Sequence, residues 1–282
     1  MLGSVWKSCH ASVCSLNFIN ERGIVIDTLT GFKVKDSLVT SEQAFYIPRA
    51  KKVDIRFVDE DANTTTVSLK IDYQELVNDL KVGFTNNHSD YAVFNLNFPD
   101  FKYIPSLLLS ERRHYSIGSQ VAMLSFGCGC PNLSIKNAFI SSAFANSNGL
   151  RYLQLDGLTS FGNSGSPVID PSSMQVIAII SRRNTPAARA YRQLQDTISS
   201  NLEELRKIEG NLRLTDIDPI QVLIANQNQF KLMVNSIYKY VAMGSSQAIM
   251  LDQILTYFNE KYMENQYDNI NLEKVGVNFM ES

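Results

Sequence analysis

Through about residue 180, apolar residues recur at every second position in short runs. Val53, Ile55 and Phe57 alternate with charged residues, and Val67, Leu69 and Ile71 with polar ones. A period of two sends successive side chains to opposite faces of an extended chain, so these runs predict half-buried antiparallel strands. Further strands are predicted at Ala11 to Ile19, Ile24 to Ile26, Gly31 to Val34, Leu38 to Thr40, Ala92 to Leu96, Gln120 to Ser125, Ala138 to Ala143, Tyr152 to Leu155 and Gln175 to Ile180. Turn residues such as Glu21-Arg22-Gly23 and Lys35-Asp36-Ser37 separate them. Many short strands at this spacing predict a sandwich or barrel.

After Asn184 the period changes. Leu194, Ile198, Leu202 and Leu205 recur at three- and four-residue steps, as do Ile220, Leu223, Ile224, Phe230, Leu232 and Met233 after Asp218-Pro219. Two helices joined near Gly210-Asn211 follow, a hairpin over about 186–236. It can serve as a packing element or as a partner-binding surface. Tyr240 to Met243 then reads as another strand. Leu251, Ile254, Leu255, Phe258 and Tyr262 mark a closing helix, so the hairpin is inserted into the strand-rich part. Residues 263–282 form a tail.

Of the 282 residues, 44% are hydrophobic and 19% charged, as in a globular protein with a substantial core. A net charge of −2 argues against a nucleic-acid surface or a membrane surface as partner. Met1 to Phe18 lacks the pattern of a secretory signal and no stretch is long enough to span a bilayer, so a cytoplasmic location is expected. The four cysteines, Cys9, Cys14, Cys128 and Cys130, are too few for a disulfide-built fold. With His10 they offer zinc ligands, but their spacings do not match the common knuckles. Reduced thiols, no metal and no cofactor are expected.

The sharpest local pattern is Gly162-Asn163-Ser164-Gly165-Ser166-Pro167 between two apolar strands. Glycines flanking a serine allow a tight turn that presents the hydroxyl beside inward-facing amide hydrogens, the donors an oxyanion needs. The string resembles the G-[DN]-S-G-[GS]-P signature of trypsin- and chymotrypsin-like serine peptidases of the PA clan, especially the bacterial degradative and stress-linked branch. Asp90-Tyr91-Ala92-Val93-Phe94-Asn95-Leu96 resembles the strand whose leading aspartate orients the catalytic histidine. Gly31-Phe32-Lys33-Val34 with Leu38-Val39-Thr40-Ser41-Glu42-Gln43-Ala44 resembles the block that carries that histidine, and at its position this chain has Gln43.

The resemblance covers about residues 10 to 262, apart from the helical pair. It implies a mostly β fold: two antiparallel six-stranded Greek-key barrels with an inserted α-helical hairpin and a C-terminal helix. Barrel one would span about 10–105, and barrel two about 115–185 plus 238–262. It further implies Ser164 as nucleophile, Asp90 as orienting carboxylate, the amides of Gly162 and Ser164 as oxyanion hole, and Leu158 as an apolar pocket floor. Ser181 would lie on the pocket wall. Arg182 and Arg183 would either crown the pocket or stand as solvated turn charges.

A serine hydroxyl needs a base to take its proton as it attacks, and imidazole suits because its pKa lies near neutrality. The carboxamide of Gln43 can hydrogen-bond but cannot relay protons. Deleting the base in a serine protease of another fold costs about 10⁶ in turnover. The remaining candidates are the three histidines, of which His88 lies nearest Asp90 in sequence, His114 falls in the expected inter-barrel linker and His10 begins the first strand. Two readings stay open: a pseudoprotease that binds polypeptide, and an active serine endopeptidase completed by a displaced histidine.

Overall fold

The computed structural model describes residues 1–82, 90–96, 98–127, 130–183, 188–210, 218–240 and 243–261. A short helix, α1 (Leu2–Cys9), precedes seven strands: β1 (Val13–Ile19), β2 (Val25–Val34), β3 (Ser37–Ser41), β4 (Lys52–Val58), β5 (Thr65–Asp72), β6 (Lys81–Val82) and β7 (Tyr91–Asn95). They form one antiparallel sheet in the order β5-β4-β1-β2-β3-β7-β6. This first unit has one strand more than expected, because the two-residue β6 pairs with β7 at Lys81–Phe94. Two short helices, α2 (Tyr73–Asn78) and α3 (Pro99–Lys102), leave no helical period in the sequence, and a 3-10 turn at His10–Ser12 moves the start of β1 from the expected Ala11 to Val13. Val25–Ile26 and Gly31 to Val34, parts of two expected strands, belong to the single strand β2, which pairs with β1 from Val25 to Phe32 with one register shift.

Six strands then close a barrel: β8 (Gln120–Phe126), β9 (Leu133–Ala145), β10 (Arg151–Thr159), β11 (Pro167–Asp170), β12 (Gln175–Arg183) and β13 (Met243–Met250), in the order β10-β13-β12-β11-β8-β9. Between β12 and β13 come α4 (Ala188–Lys207) and α5 (Pro219–Tyr240), although β12 and β13 are direct neighbours, with Ile179 opposite Ile249. A helix at 252–261, α6, follows β13. Of the strand expected at Tyr240 to Met243, Val241 and Ala242 lie outside the described residues, as does the tail 263–282.

Strand alternation sorts the core. Leu16, Phe18, Ile55, Phe57 and Phe94 fill the inside of the first unit, while Val121, Met123, Ile140, Leu153 and Ile180 fill the barrel. The opposite faces contribute Val13, Phe32 and Val39 to a third cluster with Leu124, Phe126, Ile249, Ile254 and Phe258, which joins the two units and α6. Buried aliphatic and aromatic area of this kind is the main stabilising term.

A buried lysine fastens α3 and the residues after it. Lys33 of β2 donates from Nζ to the carbonyls of Phe101 (2.7 Å), Lys102 (3.2 Å) and Ile104 (2.6 Å), and lies over the Phe101 ring. Burial pulls its ammonium below the ordinary lysine value, against the opposing pull of Asp36. Lys33→Met keeps the stem but removes every donor from these carbonyls. We expect it to cost about 2–4 kcal/mol. Urea unfolding reads this as a lower midpoint, and an unchanged midpoint would show that water replaces the ammonium.

Candidate active site

The segment linking β10 to β11 holds Ser164, and two glycines make its path possible. Gly162 has φ +92° and Gly165 φ +87°, a region L side chains rarely adopt. Space is also closed to a side chain: a Cβ at Gly162 would stand 2.5 Å from the Phe126 carbonyl oxygen, and one at Gly165 would stand 2.0 Å from that of Thr30. The turn is tied to both units. The Gly165 amide donates to the Ile180 carbonyl (2.7 Å), and the Ser164 carbonyl accepts from the Thr30 amide (3.0 Å).

Thr30 is the junction. Its buried hydroxyl donates to the Gly162 carbonyl (2.8 Å) and accepts from the Phe126 amide (3.0 Å), while its own carbonyl accepts from the Thr40 hydroxyl (2.6 Å). Asn163 points the other way, with Oδ1 accepting from the Ser160 amide (2.6 Å) and Lys136 Nζ (2.9 Å). Ser164 is thus fixed at both flanks and partly exposed. Among the described residues, no hydrogen bond occupies its hydroxyl or the amide hydrogens of Gly162 and Ser164.

Asp90 precedes β7 with φ +59°, a left-handed conformation that Asp tolerates better than most residues. Its buried carboxylate Oδ2 accepts from Tyr152 Oη (2.5 Å) and Ser181 Oγ (3.3 Å). Its amide donates to Glu42 Oε2 (2.9 Å). Gln43 lies in the single turn Glu42–Phe45 that follows β3, with its amide donating to the side chain of Ser41 (3.2 Å). Its Nε2 donates to the Ser181 carbonyl (3.4 Å). Ser41, Glu42, Gln43, Tyr46, Asp90 and Ser181 line a recess of about 170 Å³.

The recess and the Ser164 turn adjoin. The Cβ position of Gly165 would lie 2.4 Å from the Thr40 hydroxyl and 2.9 Å from the Ser41 amide, so the serine loop is pressed onto the end of β3 that leads into Gln43. Ser181 also follows Ile180, whose amide bonds Ser166 (3.0 Å). Three segments far apart in sequence therefore converge. A larger groove of about 480 Å³ also reaches Gly162, with Thr28, Arg56, Phe126 and Phe161 in its walls.

Other expected positions fall differently. Leu158 is 64% exposed, so it does not form a buried apolar floor; it lies where the β10–β13 register shifts between Asp156 and Thr159. Ser181, expected on a pocket wall, lines the recess itself, largely buried and with its hydroxyl on Asp90. Arg182 and Arg183 continue β12, and their side chains lie outside the described residues. His10 stacks on Trp6 and bonds its carbonyl (2.8 Å), while His114 lines a separate cavity with Arg151 and Asp252. Neither is at the recess. His88 and Cys128 lie outside the described residues.

Among the described residues no cluster of three or more His, Cys, Asp or Glu could hold a metal. Burial pushes the Cys9 thiol up to about 11 and the Cys14 thiol further, which disfavours the thiolate that metal binding requires. No helix among the described residues is long and apolar enough to cross a membrane.

Sequence reading missed Thr30, Glu42 and Tyr152. Tyr152 reads in the sequence as one more strand residue, and a phenol of the barrel aimed at a carboxylate of the first unit leaves no local signal.

No curated protein sequence matches the chain. Solved structures similar to it include the HtrA-type protease AlgW with tripeptide, at 15% identity and TM-score 0.49 over 64% of this chain and 54% of that one. The serine endoprotease from Yersinia pestis matches at 15% identity and TM-score 0.47, over 64% of this chain and 57% of that one. The active form of the Rv3671c protease from M. tuberculosis matches at 18% identity and TM-score 0.45, over 62% and 72%. The chain thus spans about half the length of the first of these. At the level of sequence, residues 29–179 match the trypsin-like peptidase domain. That span is more than half of the chain and contains Gln43, Asp90 and Ser164, and by it the protein belongs to the trypsin-like peptidase domain family.

Proposed function

We propose that this domain binds polypeptide across the Ser164 turn and hydrolyses it poorly or not at all. One observation carries the reading: Gln43 sits in the recess beside Asp90, its amide nitrogen donating to the Ser181 carbonyl. A carboxamide there can hold a neighbour in place but cannot take the proton of an attacking hydroxyl. The Asp90 carboxylate serves in this reading as an acceptor for Tyr152 and Ser181. The groove beside Gly162 has the size of a ligand site, and the peptidase family supports polypeptide as the bound class. The buried thiols Cys9 and Cys14, both unpaired, support a reducing compartment such as the cytoplasm.

A second reading, an active serine endopeptidase completed by a displaced histidine, draws support from the bond between Ser181 and Asp90, which holds a carboxylate available to orient an imidazole. A fluorophosphonate probe separates the two. The expected result is labelling of the wild-type chain no greater than that of Ser164→Ala. Strong labelling confined to Ser164 would instead establish the endopeptidase.

A further inference from the structure

The inner faces of α4 and α5 are settled by their own contacts. Asn235 Oδ1 accepts from Tyr191 (2.5 Å) and Gln195 (2.8 Å), and Lys231 Nζ donates to Ser199 (3.1 Å). Ile198, Leu202 and Ile220 are buried. A different face of α5 remains uncovered. At 3.6 residues per turn, Val222, Leu223, Phe230, Met233 and Ile237 fall within one arc of roughly 100°, turned about a third of the circle from the face toward α4. These five side chains are between 42% and 56% exposed.

Spacing and charge together indicate what covers them. Leu223, Phe230 and Ile237 stand seven residues apart, with Asn226 and Met233 three after the first two, the a and d pattern of a coiled-coil seam. From Pro219 to Phe230 there is no charged residue, and Lys231 is turned to Ser199. Exposed positions of α4, by contrast, carry Arg192, Asp196, Glu203, Glu204, Arg206 and Lys207, the usual solvated face.

A two-fold interface sets each residue of a face against the same face of the other copy, so any net charge would repel itself. A neutral seam with an Asn/Gln border avoids this. A heterologous partner would need no such neutrality. The arc amounts to on the order of 450 Å² of apolar surface, so two copies would cover ~900 Å², close to the ~1,000 Å² at which specific interfaces begin.

We infer that the outer face of α5 is a self-association surface, on which a second copy of this chain docks to pair the two helical hairpins. Asn226 is then the one polar residue in the seam, held there at some expense in affinity.

Sedimentation velocity of the full chain over a range of concentrations tests this. The wild type should show a monomer–dimer equilibrium. Phe230→Glu with Ile237→Glu should shift it wholly to monomer, with unchanged far-UV circular dichroism confirming that the hairpin persists. Asn226→Leu should tighten the dimer by about tenfold, a gain that misfolding cannot imitate. A wild type that stays monomeric throughout, or a dimer indifferent to both sets of substitutions, would overturn the inference. So would a monomer that binds neutral lipid vesicles through this face.

Discussion

Gln43→His should create a Ser164-dependent peptidase activity at least about 10³-fold above the wild-type background, a small part of the roughly 10⁶ that removing such a base costs elsewhere. The reasoning is geometric. Residue 43 already lines the recess with Asp90 and already reaches Ser181, and Asp90 is held there by Tyr152 and Ser181. An imidazole at that position would share a carboxylate whose orientation is fixed before it arrives. The serine loop next to it is clamped to Thr30 and Ile180.

A pH signature comes with the gain. The imidazole must be neutral to accept the proton, so activity should rise with pH through an ordinary histidine value near ~6.5 or somewhat above it, since a nearby carboxylate favours the charged ring. Probe labelling of the Gln43→His chain, absent in Gln43→His/Ser164→Ala and lost in Gln43→His/Asp90→Asn, is the measurement. A correctly folded Gln43→His chain that stays silent would mean that more than the base has been lost.

The contrast between what the sequence disclosed and what it hid has a physical cause. Strands betray themselves because a half-buried sheet forces alternation, and β4 and β5 could be read almost residue by residue from Val53, Ile55, Phe57 and Val67, Leu69, Ile71. The serine loop was equally legible, since φ near +90° at Gly162 and Gly165 restricts those positions to glycine. The short helices α2 and α3 were not, because one turn is too brief to set up a period of 3.6. Nor was the support of the site. Thr30 lies more than 130 positions from the Gly162 carbonyl it holds, and Tyr152 meets Asp90 across the contact between the two units, 62 positions away. Leu158 shows the reverse: counting back from Ser164 gives its place along the chain, but not its exposure beside the register shift in β10. On α5 the apolar residues were visible as helical, yet which of them face α4 depends on a partner helix that the pattern alone cannot supply.

Gly165→Ala should unfold or nearly unfold the chain, with a loss of at least about 4 kcal/mol, the range reserved for backbone strain combined with forced overpacking. Two costs coincide at this residue. An alanine at φ +87° pays roughly 1–2 kcal/mol for the left-handed backbone alone. Its methyl would then stand 2.0 Å from the Thr30 carbonyl oxygen, which is backbone and is itself held by the Thr40 hydroxyl at 2.6 Å. Moving Thr30 aside breaks that bond, together with the bonds to Ser164, Gly162 and Phe126 that fasten the serine loop to the first unit. Gly149 separates the two costs: its φ is +77°, but a Cβ there meets nothing within 4 Å. Gly149→Ala should therefore lose only the conformational part, about 1–2 kcal/mol. Urea midpoints of the two variants measured side by side decide the matter, because equal losses would mean that the contact of Gly165 with β2 and β3 contributes nothing and that the serine loop is held by its own turn alone.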